Sequence, residues 1–500
     1  MVQPIYSDGP EPRISRDTAS VPYWFGHTAV WPTKNGIVLT LCGIVLFGAG
    51  LRVYVLDYQS FWSDEVFSLV VTDPTLTFRE FWDRVLTDTH PPIYYLLLRL
   101  SSAFLGESEI AARAPSALFG VLSLCVAVIL SKSSLSPSSR IPFLLLLAIS
   151  PGAVWYAREA RSYALLLLLS TVITLLCISF VQCRPDENRK AQRALVELAA
   201  FSVLASFTHY FGFLLALAAF LTCYLLTNRR RKAMVILAGS GVVISFVPWM
   251  VYHSQMIDAE RTTWIGKLSV LASLRWFEYL SFGGPASLVL FSGVVAVVLV
   301  TGGWRQIVAR NSITQTCALL CLGTLTAAAT ISFHTPILTS RNMIVVLPAL
   351  YLIAAELARC LVRRWGKLAG ATYVAAQVGL MSQTVAAYYT TQINEQWRES
   401  ATFILNAPGC GSGAMHVYGE ALSYRYFIAR AKPDLRLINI PEGAVVDLSN
   451  EPTTSCPVLL WVVGVPSWDV DELLLRLGLS RASSLVVEYH EAFVVLRKEP

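Results

Sequence analysis

The chain is short of charge. Only 14% of its 500 residues are Asp, Glu, Lys or Arg, against about a quarter in soluble proteins, and a water-soluble domain of this length is thereby excluded. The ten cysteines include no Cys-x-x-Cys pair and no Cys/His ligand spacing, which speaks against a structural zinc site. No glycine-rich phosphate loop and no internal repeat is present. A basic face is missing too. The net charge of +6 sits in short loops between apolar runs, so nucleic acid is not an expected partner. Residues 1–35 lack the basic start, short apolar core and small-residue cleavage site of a signal peptide. Pro4, Pro10, Pro12, Pro22 and Pro32 mark them instead as a flexible cytoplasmic tail.

What remains is hydrophobic. Apolar residues make up 55% of the chain, and about 20 of them in a row suffice to cross a bilayer. Candidate spans fall at 36–56, 91–106, 113–131, 141–156, 160–181, 194–208, 211–227, 233–252, 286–302, 315–333, 341–358 and 368–388. The predicted fold class is a polytopic α-helical membrane protein. The basic loops 183–193, 228–232, 304–310 and 358–367 are cytoplasmic by the positive-inside rule. Twelve spans would put both termini on one side, yet these loops place residues 390–500 outside. One early segment must be miscounted; 91–106 and 141–156 are short, and Ser150-Pro151-Gly152 suggests a break.

From about residue 391 short apolar strands alternate with helical patterns, as in GAMHVYG, PVLLWVVG and SLVVEYHEAFVVLRK. Residues 391–500 are therefore expected to form a small extracytoplasmic α/β domain. Eight cysteines lie in or beside spans and read as small hydrophobes. Cys410 and Cys456 lie in this polar region, where a disulfide would persist outside the cytoplasm.

Two outer loops are expected, 57–90 and 253–285, the second rich in aromatics (Trp264, Trp276, Tyr279). In the first, FWSDEVFSLV and LTFREFWDRVL each put aromatics on one helical face and charges on the other, as interfacial helices do. Asp64 and Glu65 begin it and are candidates for a general base. Asp88-Thr89-His90-Pro91-Pro92 ends it. The double proline marks a helix entry and holds Asp88 and His90 at the interface, where an anionic headgroup or a divalent metal could meet them, with His209 as a third ligand. Charges next to hydrocarbon are costly and face a partner or a cavity. That singles out Tyr156, Arg158, Glu159, Arg161 and Tyr163 in VWYAREARSYALLLLL, Arg341 at the start of a span, and His209-Tyr210 between two. Arg113 reads more readily as a snorkelling anchor than as a ligand.

Taken in order, the DE-bearing loop, HPPIYYLLLR, LGESEIAARAPSALFG, YAREARSYALL, THYF and SRNMIVVLPAL resemble bacterial C-type glycosyltransferases of glycosyltransferase family 39. That family includes relatives of the protein O-mannosyltransferases and of the lipid A aminoarabinose transferase. The likeness covers about residues 36–400. It implies a GT-C fold, a polyprenyl-phosphate sugar donor, a periplasmic active site in the bacterial inner membrane, and inversion at the anomeric carbon. The acceptor would be a glycan, a glycolipid such as lipid A, or a protein. Asp64 matches the first-loop catalytic acid, with Glu65 adjacent. His90 stands where the aminoarabinose transferase has a lysine. Arg161, Arg341 and His90 would meet the leaving phosphate, and Arg113, Tyr156, Glu159, Tyr163 and Tyr210 would line the substrate. The rival class, a transporter or lipid flippase, predicts symmetry-related repeats, and none is seen.

Overall fold

The computed structural model describes residues 34–497, apart from 257–274, 276–277, 280, 303–310, 340, 409, 411–412, 420–424, 430, 433, 442, 450–456 and 464–468. Nearly all of the expected tail, Trp264, Trp276 and Cys456 lie outside the described residues.

The first helix, α1 (Lys34–Val53), leads into the first loop. The loop folds as α2 (Ser63–Val71), α3 (Phe78–Thr87) and, beyond Pro91-Pro92, α4 (Ile93–Leu105). Thr77 and Glu80 form a capping box at the start of α3, which satisfies donors that a helix N-terminus leaves open. Phe81 and Val85 of α3 close a small core with Val71 and Tyr95, so the amphipathic reading of this loop holds.

The bundle continues with α5 (Glu109–Ser131), α6 (Pro137–Ile149), α7 (Pro151–Tyr156), α8 (Tyr163–Val181), α9 (Asn188–Thr208), α10 (Tyr210–Leu226) and α11 (Arg229–Ser254). Then come α12 (Pro285–Val300), α13 (Ser312–Ser332), a 3-10 turn at Arg341–Val346 running into α14 (Leu347–Trp365), and α15 (Lys367–Thr390). Among the described residues six segments are long and apolar enough to cross a membrane by length and composition, and α4, α6, α10 and α12 are shorter apolar helices. The segment 163–181 is 83% buried and 341–365 is 89% buried, whereas 35–53 is only 17% buried. Val38, Leu39, Leu46 and Phe47 on α1 are exposed, an apolar face that only lipid would cover.

The parity problem resolves at 91–106. That stretch, first a candidate span and then one of the two suspects, does not cross. Both ends of α4 stay on the Asp64 side, tied there by hydrogen bonds. Arg99 donates to the carbonyls of Asp73 (2.7 Å) and Leu76 (2.5 Å) in the first loop. Just past α4, the Glu107 carbonyl accepts from Tyr426 (2.6 Å), and Glu109 accepts from the Phe61 amide (3.2 Å). Leaving 91–106 out of the twelve expected spans gives an odd number, the parity that the basic loops require.

The other suspect, 141–156, does split, at Ser150. Ser150 caps α7 by accepting from the Ala153 amide (3.2 Å). The last carbonyls of α6 lose their helical partners there. The fully buried Arg52 of α1 takes them over, donating to Leu147 O (3.1 Å) and Ala148 O (3.0 Å).

Beyond α16 (Trp397–Asn406) stands a five-stranded sheet of order β2-β1-β3-β5-β4. Its strands are β1 (Gly413–Tyr418), β2 (Leu435–Ile440), β3 (Val458–Val463), β4 (Ser484–Tyr489) and β5 (Ala492–Arg497), with α17 (Val470–Arg476) between β3 and β4. β1 pairs parallel with β2 and β3, and β5 pairs antiparallel with β3 and β4. Cys410 is disulfide-bonded, and the eight cysteines in or beside the helices are free. One apolar cluster joins the sheet to the first loop: Trp397, Ile404, Trp461 and Val494 pack with Phe61, Val66, Leu69, Ala112 and Ala160.

A labelling experiment checks the re-entry of α4. With the native cysteines replaced, Ser108→Cys should react with a membrane-impermeant maleimide from the same side as Val445→Cys in the sheet domain. Labelling from the opposite side would mean that α4 spans.

Candidate active site

Asp64 and Glu65 lie in the first turn of α2, where the helix dipole favours carboxylates. Neighbouring positions on a helix diverge by about 100°, and the two side chains part company. Asp64 remains 31% exposed and forms an ion pair with Arg341. The Arg161 guanidinium stands 3.7 Å from the same oxygen. Arg341 also lies over the Trp62 ring, 4.7 Å from its centroid. The first loop, the turn before α8 and the 3-10 turn before α14 thus converge on one partly open carboxylate.

Glu65 turns inward and is fully buried. Arg113 grips it with two hydrogen bonds, Nε to Oε1 at 2.8 Å and Nη2 to Oε2 at 2.6 Å, and the Ala160 amide adds a third at 2.8 Å. The remaining Arg113 donors go to the carbonyls of Leu56 (2.7 Å), Gln59 (2.7 Å) and Ser60 (3.1 Å). A guanidinium has five N–H groups, and all five are spent. Neither side chain has capacity left for a reacting group, so this pair is a clamp that orients the loop, in place of the roles expected of Glu65 and Arg113.

His90 faces Arg161 through Nε2 at 3.3 Å. Arginine only donates, so Nε2 accepts and Nδ1 carries the proton. Nδ1 points at Asp88 Oδ2 (3.1 Å), which also accepts from the His90 amide (3.1 Å) and the Tyr95 hydroxyl (2.5 Å). Burial pushes the Asp88 carboxyl up, but the hydrogen bond from His90, the charge of Arg161 and the Tyr95 hydroxyl outweigh it and hold it well below the usual range. Arg161 further donates to Ser68 Oγ (3.0 Å) and the Asp64 carbonyl (3.3 Å), while its buried Nε finds no partner among the described residues. Ser68 escaped the sequence reading, although it sits one turn after Asp64 on the same helix face.

His209 packs its ring 5.4 Å from His90 and 5.8 Å from Tyr163. Burial, with His90 and Arg161 nearby, holds it well below the usual imidazole range, and its Nδ1 accepts from the Phe211 amide (3.1 Å). Asp88, His90 and His209 do not fit a divalent metal: Asp88 Oδ2 and His90 Nδ1 are committed to each other, and His90 Nε2 looks at a guanidinium. Among the described residues no three His, Cys, Asp or Glu side chains gather as a metal site.

Glu159 does not clamp Arg161 through side chains; only its carbonyl accepts, from the Arg161 amide (2.8 Å). One carboxylate oxygen takes the Trp155 indole N–H, and the other is buried without a partner among the described residues. Burial pushes this carboxyl up to about 8, Glu65 and Asp64 adding to the effect and Arg341 opposing it. Arg158 is spent on the Val55 carbonyl (2.8 Å) and the Tyr389 ring. The Tyr156 and Tyr163 rings meet at a tilt, 4.8 Å between centroids, beside the site. Tyr210 points at His253 Nδ1 (2.5 Å), on α11.

Two consequences follow for mutants. Glu65→Gln should lower stability by about 3–5 kcal/mol, the usual cost of breaking a buried pair, read as a fall in the melting temperature of the detergent-solubilised protein; an unchanged melt would deny the clamp. Glu159 is an acid whose folded pKa lies above its unfolded one, so it costs stability progressively as pH rises from the ordinary carboxylate range towards 8. Glu159→Gln should therefore gain melting temperature over wild type at pH 8 and little at pH 4, and a gain independent of pH would contradict this.

The resemblance read from the motifs is borne out by comparison with known proteins. Residues 89–252 match the family model described as dolichyl-phosphate-mannose-protein mannosyltransferase. No curated protein sequence matches the chain. Among solved structures it is similar to ArnT from Cupriavidus metallidurans in the apo state, with a TM-score of 0.56 at 13% identity, covering 92% of this chain and 98% of that one. The same enzyme bound to undecaprenyl phosphate gives 0.50 at 15% identity, over 93% and 98%. The Archaeoglobus fulgidus oligosaccharyltransferase in complex with Zn and sulfate gives 0.52 at 10% identity, over 92% and 73%. The chain thus has the GT-C fold, a helical membrane bundle bearing a small C-terminal sheet domain, and it is similar to C-type glycosyltransferases of the family 39 kind.

Proposed function

We propose that the chain is an integral membrane glycosyltransferase that moves a sugar from a polyprenyl-phosphate carrier to an extracytoplasmic acceptor, with inversion. The observation that carries this reading is the half-open Asp64 carboxylate between Arg341 and Arg161, a base beside two fixed cations at one end of a membrane bundle. The likeness to ArnT bound to undecaprenyl phosphate supports the donor class. The basic loops 183–193, 228–232 and 358–367 gather at the other end, where Arg231 donates to the carbonyls of Cys183 and Arg184 and Gln182 shares a cleft with Arg359 and Arg363. By the positive-inside rule that end is cytoplasmic, which makes the Asp64 end and the sheet domain periplasmic in a bacterial inner membrane.

In the resting site both arginines are held by Asp64. An arriving phosphate, with more charge and more acceptor oxygens than a carboxylate, competes for them. Arg341 and the unpartnered Nε of Arg161 turn to the phosphate, and Asp64 is released for an acceptor hydroxyl. The hydroxyl proton passes to Asp64 as its oxygen bonds to the sugar C1. The bond from C1 to the phosphate oxygen breaks, and the electron pair leaves with the polyprenyl phosphate, stabilised by guanidinium groups already in place. His90 Nε2, held by Asp88, accepts from Arg161 and fixes that guanidinium's orientation. The acceptor is a glycan, a glycolipid such as lipid A, or a protein.

The test is release of polyprenyl phosphate from a sugar-loaded lipid by purified protein. Asp64→Asn should abolish release towards a hydroxyl acceptor without lowering the melting temperature, and full activity in that variant would end the base assignment. Arg341→Ala should cost about 10²–10³ in rate, the scale for removing one charge-stabilising donor.

A further inference from the structure

The end of the bundle opposite Asp64 holds an open cleft of ≈ 690 Å³, lined by Gln182, Asn311, Ser312, Arg359, Arg363 and Arg364. Its floor is built around Glu356, which is 1% exposed. That carboxylate accepts from Ser139 Oγ (2.6 Å) and Asn311 Nδ2 (2.5 Å) and pairs with Arg359. A buried charge without a partner would be costly, so Arg359 is pinned to the floor as its counter-ion. Among the described residues no carboxylate lines the cleft itself. Arg363 and Arg364, one turn further along α14 and both exposed, have no carboxylate partner among the described residues.

The first turn of α13 also opens here, with Asn311 capping it through the Ile313 amide (3.1 Å), which adds the positive end of a helix dipole. The rim is amphipathic. Arg364 lies 5.3 Å over the Trp365 ring, Trp365 is 45% exposed, and Leu368 beside it is 79% exposed. Tryptophan and arginine at a helix end mark headgroup depth, and an exposed leucine there calls for an acyl chain. Loose surface arginines would merely be solvated. Here two uncompensated ones stand over a rigid polar floor.

We propose that this cleft binds the phosphate headgroup of an anionic glycerophospholipid from the leaflet at that end, Arg363 and Arg364 meeting the phosphate while the acyl chains lie along Trp365 and Leu368. Basic pockets between membrane helices take such headgroups. The site is remote from Asp64 and independent of the transfer reaction.

Native mass spectrometry of the full-length protein, delipidated and then offered phosphatidylglycerol or phosphatidylcholine, tests it. Wild type should retain phosphatidylglycerol in preference. Arg363→Gln with Arg364→Gln should weaken retention roughly thirtyfold, from about fivefold for each arginine near an anionic headgroup, with phosphatidylcholine unaffected. If the double variant does not fold, Arg363→Gln alone should show about the fivefold loss. Equal retention by wild type and variant overturns the proposal. Displacement of the lipid by millimolar inorganic phosphate would also overturn it, since the cleft would then be a site for free anions.

Discussion

The structure around the candidate site depends on one buried ion pair. Glu65 and Arg113 lie out of reach of water, between the first loop and α5. Their hydrogen bonds run to Leu56, Gln59 and Ser60 before α2 and to Ala160 before α8. Desolvating two charges is expensive, and bidentate geometry with every remaining donor satisfied is what makes such a pair tolerable. The satisfied pair in turn fixes the rotation of α2. With Glu65 pinned inward, the next position round the helix has only the outward face left. Asp64 takes it and meets Arg341 and Arg161.

The same logic recurs with other arginines. Arg52 feeds the carbonyls that end α6, Arg99 those of the first loop, and Arg231 the carbonyls of Cys183 and Arg184 at the far end. Backbone groups near hydrocarbon have no water to turn to, and a long guanidinium with several donors is the side chain able to reach them. Arg161 departs from this pattern. Like Arg52 it is buried with an Nε that finds no partner among the described residues, but its Nη atoms face the Asp64 carboxylate, Ser68 and His90 as well as a carbonyl.

The sheet domain belongs to this arrangement. Phe61, just before α2, lies between the Arg113 guanidinium (5.0 Å) and the Tyr426 ring (5.6 Å). Arg398 at the start of α16 pairs with Glu109 at the start of α5. Gln59 donates to the Thr391 carbonyl (2.7 Å) and accepts from the Ile393 amide (2.9 Å). The back of the loop that carries Asp64 is therefore part of the sheet domain's own core, and movement of one is felt by the other.

The helical bundle, the sheet at the C-terminus, the amphipathic first loop and the convergence on Asp64, Arg161 and Arg341 were legible in the residues, because hydrophobic runs, strand alternation and charges stranded beside apolar spans each carry a local signal. The division of labour between Asp64 and Glu65 was not. Two adjacent carboxylates look alike until Arg113, some fifty residues on, claims one of them. The path of α4 was legible only as one of two suspects, since loop charge showed that a segment was miscounted without saying which; hydrogen bonds from Arg99 and from Tyr426, far along the chain, keep both its ends on one side. Composition and periodicity determine that a segment is helical and which face is apolar. Which charge finds which counter-charge, and which side of the bundle a short helix ends on, are set by contacts between distant segments, and only the tertiary structure decides those.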